Sequence, residues 1–207
     1  MSPRRLASLT LAVAALAACE PVLDAAGPPP AAVRLANAVV VQGPAGYCVD
    51  PVVTNPRQGF ALLAACAAMT ADDSDTYPDA IALITVQVGG AGSAVVQGQE
   101  EAFAAFMDTP QGAALLSASA IGGPVAVRVT RTDPNAVAVY TEDADEPGIA
   151  GTQPQAWRLF TDVGDRLVTI SVRGLEDAAL SQAQSRALVD ATLAVLRAAN
   201  GAKSTVT

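Results

Sequence analysis

The 207-residue chain contains no histidine, and Lys203 is the one lysine among its twelve basic residues. Without histidine it has no imidazole general base, no Ser-His-Asp or Cys-His nucleophile and no histidine-ligated metal. Nucleic-acid binding depends on clustered Lys and Arg, which the net charge of −8 opposes. The chain also has few aromatic side chains from which a stacking site could be formed: one Trp, three Tyr and four Phe. The commonest hydrolase chemistries are excluded, and we expect no nucleic-acid partner.

The N-terminus has the pattern of a secretory signal peptide over residues 1–18. Arg4 and Arg5 precede the apolar stretch Leu6–Ala18, and Cys19 follows at once. Thirteen helical residues span about 20 Å, less than the roughly 30 Å of a bilayer core, so a transmembrane helix fits less well.

The residues Leu16-Ala17-Ala18-Cys19 resemble the lipobox of bacterial lipoproteins. The resemblance implies that Cys19 is lipidated, with palmitate-type acyl chains, and that membrane lipid is a partner through this residue. The protein would then be anchored in the cell envelope and would face the periplasm. An aspartate after the lipidated cysteine would favour retention in the inner membrane, and because position 20 is Glu20 instead, the outer membrane is favoured. Ordinary signal-peptide cleavage that leaves a free Cys19 stays open as the alternative.

The mature chain divides into a tether, one domain and a tail. Residues 19–33 contain the three consecutive prolines Pro28–Pro30, which stiffen a chain into polyproline II, so this segment is interpreted as a tether. A single domain is expected over residues 34–200 and a disordered tail over 201–207.

The two remaining cysteines, Cys48 and Cys66, are expected to form a disulfide because an exported chain enters an oxidising compartment. Their Cα atoms should lie about 4.4 to 6.8 Å apart, with the Tyr47 segment beside the end of the strand that starts at Phe60. A redox pair is the alternative, although catalytic dithiols favour a CxxC spacing.

Strands and hairpins are predicted from apolar runs and alternation. The runs Ala36–Val41, Phe60–Cys66 and Ala80–Val88 favour buried strands. Alternating valines from Val125 to Val139, interrupted by the turn residues 132–135, predict a hairpin. A second hairpin is expected over Trp157–Arg173, with Gly164-Asp165 as a type II′ turn.

Helices are predicted in two places. Glu100–Ala118 is alanine-rich, with a break and restart at Thr109-Pro110. The closing helix, Gln182–Ala199, begins with a Ser181/Gln184 capping box and should stop at Asn200-Gly201. We expect its apolar face to pack on the second hairpin, with Arg186 and Asp190 on the exposed side; that face comprises Leu188, Val189, Thr192, Leu193, Val195 and Leu196.

The segment Gly43-Pro44-Ala45-Gly46-Tyr47, followed by paired strands, a central helix, two hairpins and a closing amphipathic helix, resembles the PsbP/Mog1-like fold over residues 36–199. The resemblance implies an α+β fold, an antiparallel sheet with flanking helices. Members are chiefly binding or assembly factors, and no active-site residue transfers. The GPAGYCVDP segment is also similar to that of small lipoproteins of GC-rich Gram-negative bacteria.

Motifs for cofactor chemistry are incomplete. Gly89–Ser93 lacks the third glycine of a dinucleotide loop, since position 95 is valine, so we interpret it as a flexible connection and expect no nucleotide. The acidic clusters 72–75 and 142–146 suit calcium in ligand type, but Pro78 and Ile84 replace the Gly and Glu of a calcium loop counted from Asp73. Solvated loops explain both clusters, and calcium binding by them stays open.

The sequence therefore predicts no catalytic, cofactor-binding or metal-ligating residue, and a lipid-anchored, non-catalytic binding or assembly module with an envelope protein partner. A carboxylate-based envelope hydrolase and an envelope stress or redox sensor remain alternatives. Converging, partly buried carboxylates in a pocket would favour the enzyme, whereas an exposed apolar groove would favour the binding module.

Overall fold

A computed structural model describes residues 28–70, 76–117, 125–143 and 149–201. The signal peptide, Cys19, the acidic cluster 72–75, residues 144–146 and the tail from 202 lie outside these ranges. In chain order the elements are β1 (Ala32–Leu35), β2 (Val39–Gln42), β3 (Tyr47–Val49), β4 (Phe60–Ala65), β5 (Ala82–Val88), α1 (Glu100–Met107), α2 (Pro110–Leu115), β6 (Val125–Asp133), β7 (Ala136–Asp143), β8 (Gln155–Val163), β9 (Arg166–Gly174) and α3 (Gln182–Gly201). Short 3-10 helices occupy Pro56–Gln58 and Cys66–Ala68.

The architecture is α+β, as predicted. Seven strands form one antiparallel sheet in the order β3-β4-β5-β9-β8-β7-β6, and β1 and β2 form a separate two-stranded sheet. One face of the large sheet packs against α3 and the β1–β2 hairpin, and α1 and α2 pack against β6 and β7 on the other face. Both sheet faces are therefore flanked by helices.

The two consecutive hairpins are confirmed. Asp133 pairs with Ala136 across a turn in which Asn135 has a φ of 51°, a conformation that asparagine tolerates. Val163 pairs with Arg166 across a turn whose first residue, Gly164, has a φ of 61°. Glycine adopts this backbone conformation without steric cost, so the sequence places the turn correctly.

The expectation of one strand over Ala36–Val41 was wrong. Ala36 and Asn37 have φ values of 49° and 56°, and they turn the chain between β1 and β2. Strand β1 begins at Ala32, two residues inside the predicted tether, because its own partner strand is β2. The backbone contacts of the domain extend N-terminally beyond β1, since the carbonyl of Pro30 accepts a hydrogen bond of 2.8 Å from the Val49 amide.

The break in the central helix is confirmed. The Thr109 hydroxyl accepts a hydrogen bond from the Gly112 amide at 3.1 Å, and Pro110 occupies the first turn of α2. Threonine caps a helix in this way and proline suits its first position, so a new helix starts where the sequence indicates.

Helix α3 begins as predicted and ends later. The Ser181 amide donates to the Gln184 side chain at 3.0 Å and the Gln184 amide donates back to the Ser181 hydroxyl at 3.3 Å, which is the reciprocal capping box. The stop predicted at Asn200-Gly201 was wrong, since both residues are helical. The Asn200 side chain bonds the Val40 amide at 2.9 Å and carbonyl at 2.8 Å, which holds the last turn against β2.

The apolar face of α3 packs on β8 and β9, as expected, and also on β2. Its buried residues include five of the predicted set, Leu188, Val189, Thr192, Leu193 and Leu196, while Val195 is half-buried. The Arg186–Asp190 pair forms at 2.9 Å, but Arg186 is not on an exposed face. Its guanidinium lies 5.0 Å from the centroid of the buried Trp157 ring, because the helix is seated directly over β8.

The disulfide between Cys48 and Cys66 is present, with Cα atoms 4.9 Å apart, inside the predicted range. Cys48 lies on the edge strand β3, which pairs with the end of β4 so that Tyr47 stands opposite Ala65. The bond thus ties a three-residue edge strand to its neighbour.

Replacing both cysteines, as Cys48→Ala/Cys66→Ala, is expected to lower the free energy of unfolding by about 3 kcal/mol. The disulfide closes a loop with a sequence separation of 18 and so restricts the unfolded chain. Urea denaturation of both proteins measures the difference. If native protein purified without reductant instead reacts with an alkylating reagent at both Cys48 and Cys66, the pair is not joined and the prediction is wrong.

Candidate functional site

Of the residues singled out in the sequence, the structure brings Cys48 and Cys66 together, while Cys19 lies outside the described ranges. The disulfide pair lies at an edge of the sheet, away from the cavity and the charged cluster described below. It therefore stabilises β3 and contributes no side chain to either.

The glycine-rich segment 89–93 is not a free connection. The Leu167 amide donates to the Ser93 hydroxyl at 3.0 Å, and the Gly92 amide donates to the Asp165 carboxylate at 3.1 Å. Three amides that follow, those of Val95, Val96 and Gln97, donate to the carboxylate of Asp162 at 2.7 to 3.1 Å. This carboxylate acts as a structural acceptor that fastens the segment to the sheet.

A cavity of about 370 Å³ opens where the β6–β7 turn, the β8–β9 turn and the end of α3 meet. Its polar side chains are engaged: Arg197 donates to the carbonyls of Pro134 and Asn135, and Asn200 is bonded to β2. Its one carboxylate, Asp162, is the acceptor just described. The cavity therefore has no pair of converging carboxylates; it is lined by Pro134, Asn135, Asp162, Val163, Gly164, Arg197, Asn200 and Gly201.

The acidic cluster 142–146 is described for its first two residues, and they differ. Glu142 is partly exposed and pairs with Arg128 at 2.9 Å, and the hydrogen bond from this arginine lowers the pKa of Glu142. Asp143 is buried, with 4% of its side chain exposed. The interpretation of the whole cluster as a solvated loop was thus wrong at Asp143, which ends β7 on the same side of the strand as the buried Val137 and Val139.

Asp143 holds two arginines from neighbouring strands, and we call Asp143, Arg158 and Arg173 the arginine cluster. Its Oδ2 atom lies 2.7 Å from Nη2 of Arg173 on β9 and 3.5 Å from Nη2 of Arg158 on β8. The two guanidinium groups share one carboxylate oxygen, so the cluster carries two positive charges against one negative charge.

The two arginines are held very differently. Arg173 also donates to the carbonyls of Gln153 at 2.8 Å and Pro154 at 3.0 Å, which anchor it between β8 and the preceding segment. Within the described chain, Arg158 pairs with Asp143 at the longer distance of 3.5 Å. Its Nε atom is buried and has no hydrogen-bond partner there. Oδ1 of Asp143 is likewise buried and unpartnered.

The electrostatics follow from burial and the neighbouring charge. Burial lowers the pKa of Arg158, Asp143 opposes this, and the positive charge of Arg173 lowers the pKa further. A guanidinium remains protonated at neutral pH. Among the described residues, one positive charge of the cluster therefore has no carboxylate of its own, and an additional anionic oxygen would stabilise it.

The arginine cluster lies on the face that carries α1 and α2, beyond the part those helices cover. Among the described helices, α1 and α2 pack on β6 and β7, while α3 contacts β8 and β9 from the opposite face. Arg158 stands opposite Ser171 and Arg173 stands opposite Leu83 in the strand register, so a hydroxyl and an apolar side chain share this face of the sheet with the two arginines. Side-chain exposures of 14% and 12% leave part of Arg158 and Arg173 open to solvent.

Sequence reasoning missed both arginines. The alternation in β8 and β9 contains a signal, since Arg158 lies between the core residues Trp157 and Leu159, and Arg173 directly follows the core residue Val172. That pattern places them on the second face of the sheet but does not show that they meet Asp143, whose strand is separate in sequence.

No family model matches the chain, and no curated protein or solved structure does so either. Within residues 28–70, 76–117, 125–143 and 149–201, no helix is both long and apolar enough to cross a membrane. The same ranges contain no group of three or more Cys, Asp or Glu placed to hold a metal ion.

Proposed function

We propose that this chain is a lipid-anchored protein of a bacterial envelope that faces the periplasm and works as a non-catalytic binding or assembly module. The lipobox-like residues 16–19 support the anchor, and the Cys48–Cys66 disulfide suits the oxidising compartment that an exported domain enters. Glu20 supports the outer membrane over the inner one. The partner is an envelope component with an anionic group.

The observation that carries the binding proposal is that, within the part of the chain that the structure describes, the two arginines of the cluster share one carboxylate oxygen. The Arg158 side chain is 14% exposed and its buried Nε has no hydrogen-bond partner, and the buried Oδ1 of Asp143 beside it is an acceptor without a donor. A carboxylate or phosphate oxygen would receive bonds from Arg158, and a hydroxyl or ammonium group next to that oxygen would donate to Asp143. Charge-assisted bonds of this kind are among the strongest in proteins.

The order of elements also supports the PsbP/Mog1-like assignment, which remains a proposal. The chain has paired strands, a central helical region, two consecutive hairpins and a closing helix packed on the sheet. Members of that fold chiefly bind or assemble, which agrees with a binding role.

A titration with inorganic phosphate and with acetate, at constant ionic strength, tests the anion site. We expect the Nε–H resonance of Arg158 and the amides of β8 to shift and to saturate. Arg158→Gln should abolish the saturable shifts, whereas Arg128→Gln, which alters an exposed pair, should retain them. Shifts that grow linearly without saturation in the natural protein would refute the site.

Lipidation is tested at Cys19. In the producing bacterium, Cys19→Ala should yield protein without the acyl mass increase and without incorporation of labelled palmitate, because the thiol that receives the lipid is gone. Mass spectrometry of detergent-extracted protein measures both. The double variant Cys48→Ala/Cys66→Ala is the matched control and should keep its acyl mass; a Cys19→Ala protein that is still acylated would contradict the anchor.

A further inference from the structure

Two exposed valines lie where the N-terminal chain joins the fold. The Val49 amide donates to the carbonyl of Pro30, so the segment that leads to β1 runs beside β3. The loop directly after β3 carries Val52, 90% exposed, and Val53, 50% exposed. Pro51, Val52 and Val53 are three consecutive exposed apolar residues, and we call them the apolar tip.

The loop holds these valines outward. The Asp50 carboxylate accepts from the Val52 amide at 2.8 Å and the Val53 amide at 3.1 Å, and the Thr54 amide donates to the Asp50 carbonyl at 3.1 Å. An aspartate that bonds the amides two and three residues ahead fixes a tight turn. The valines therefore cannot fold back on the core without breaking this turn.

Two exposed arginines lie on segments that neighbour β3 and the loop after it. Arg34 on β1 and Arg57 in the 3-10 helix Pro56–Gln58 are exposed, and the Ala36 amide donates to the Pro56 carbonyl at 2.8 Å, which joins the two segments. β1 also contacts β3, which leads into the loop. In a chain with a net charge of −8, this end combines two arginines with apolar side chains.

We propose that the loop Pro51–Val53, together with Arg34 and Arg57, is a second membrane contact that enters the headgroup region of the bilayer. The inference rests on the proposed lipid anchor at Cys19. Ten residues lie between Cys19 and Pro30, and the eleven Cα-to-Cα steps span at most about 40 Å, so the loop lies within reach of the surface that holds the lipid. Valines buried at the interface and arginines near anionic lipid both favour binding, whereas the acidic remainder is repelled.

The contact fixes an orientation. With β3 and its loop against the bilayer, the opposite sheet edge, β6, points away from it, because β3 and β6 are the two ends of the strand order. The arginine cluster, on β7, β8 and β9, then lies toward the distal half of the sheet. A partner from the periplasm would reach it without passing the lipid surface.

Tryptophan quenching tests the contact. Val52→Trp is compared with Leu115→Trp, a control at the end of α2 where Leu115 is 71% exposed near β6. Full-length lipidated protein is reconstituted in vesicles of phosphatidylethanolamine and phosphatidylglycerol with brominated acyl chains. We expect at least about twofold stronger quenching at position 52, since that ring would enter the interface. Equal quenching of both variants overturns the proposal while leaving the anchor intact.

The other outcomes are equally decisive. Acyl mass measured on the same samples separates failure of the anchor from failure of the contact. Should the chain carry no lipid, quenching at position 52 in protein added to the vesicles still supports the contact, and its absence overturns it. A concentration-dependent blue shift of the Val52→Trp emission without vesicles indicates a second copy of the chain on the loop and overturns the lipid assignment.

A separate double variant tests the role of the two arginines. Arg34→Gln/Arg57→Gln in the Val52→Trp background should weaken quenching in vesicles with phosphatidylglycerol and leave it unchanged in phosphatidylcholine vesicles. Equal quenching of the two proteins in both vesicle types overturns the assignment of Arg34 and Arg57 to the contact.

Discussion

Leu193→Asp is expected to lower the free energy of unfolding by several kcal/mol. Leu193 is buried in the face of α3 that packs on β8 and β9, so the substitution removes an apolar side chain and places a carboxylate in the core. A buried, unpaired charge is among the most destabilising changes known, and typical domains have only about 5–15 kcal/mol of stability. Urea denaturation followed by circular dichroism measures the loss.

The neighbouring residue supplies the control. Ala194 is exposed on α3, so Ala194→Asp introduces the same charge into the same helix without entering the core. Its effect should be about 1 kcal/mol or less, mostly the lower helix propensity of aspartate. If both variants unfold at the same urea concentration, α3 is peripheral and its apolar face does not hold the sheet.

Asp143→Asn is expected to cost about 3–5 kcal/mol, although the substitution changes the side-chain volume very little. It leaves Arg158 and Arg173 beside one another in a partly buried site without their shared negative charge. Removing one partner from a buried ion pair is costly because the remaining charge stays desolvated. Chemical denaturation of purified protein provides the comparison.

Glu142→Gln is the matched control, one residue away and in an exposed pair with Arg128. It should change stability by roughly 0–1 kcal/mol. The two arginines should also differ: Arg173→Gln removes bonds to Gln153 and Pro154 as well as to Asp143, so it should cost more than Arg158→Gln. Equal effects of Asp143→Asn and Glu142→Gln would mean that the arginine cluster is not desolvated.

Much of the fold follows from local chemistry that the sequence displays. Gly164 and the Thr132–Asn135 turn cluster fix both hairpins, and Ser181 with Gln184 fixes the start of α3, because turns and caps depend on residues only a few positions apart. The disulfide was also predictable, since the predicted export and the predicted lipidation of Cys19 leave two cysteines and one pairing.

The errors occur where distant contacts override local preference. Ala36 adopts a left-handed conformation that alanine disfavours, held in place by pairing of β1 with β2 and by the Pro56 carbonyl. Asn200 would end a helix elsewhere, but here its side chain binds β2. Asp143 belongs to an acidic run in the sequence, yet the alternation of β7 turns it toward arginines from two other strands.

The two hydrogen bonds between Asn200 and Val40 also determine how late in synthesis the edge of β2 is covered. Their partners are 160 residues apart, and the asparagine amide occupies the backbone groups of Val40 as a third strand would. A chain that is synthesised from its N-terminus leaves these backbone groups of β2 unpaired until its last helix has been made. During that interval the strand is open to pairing with another chain, so a holdase would have its greatest effect before α3 is complete.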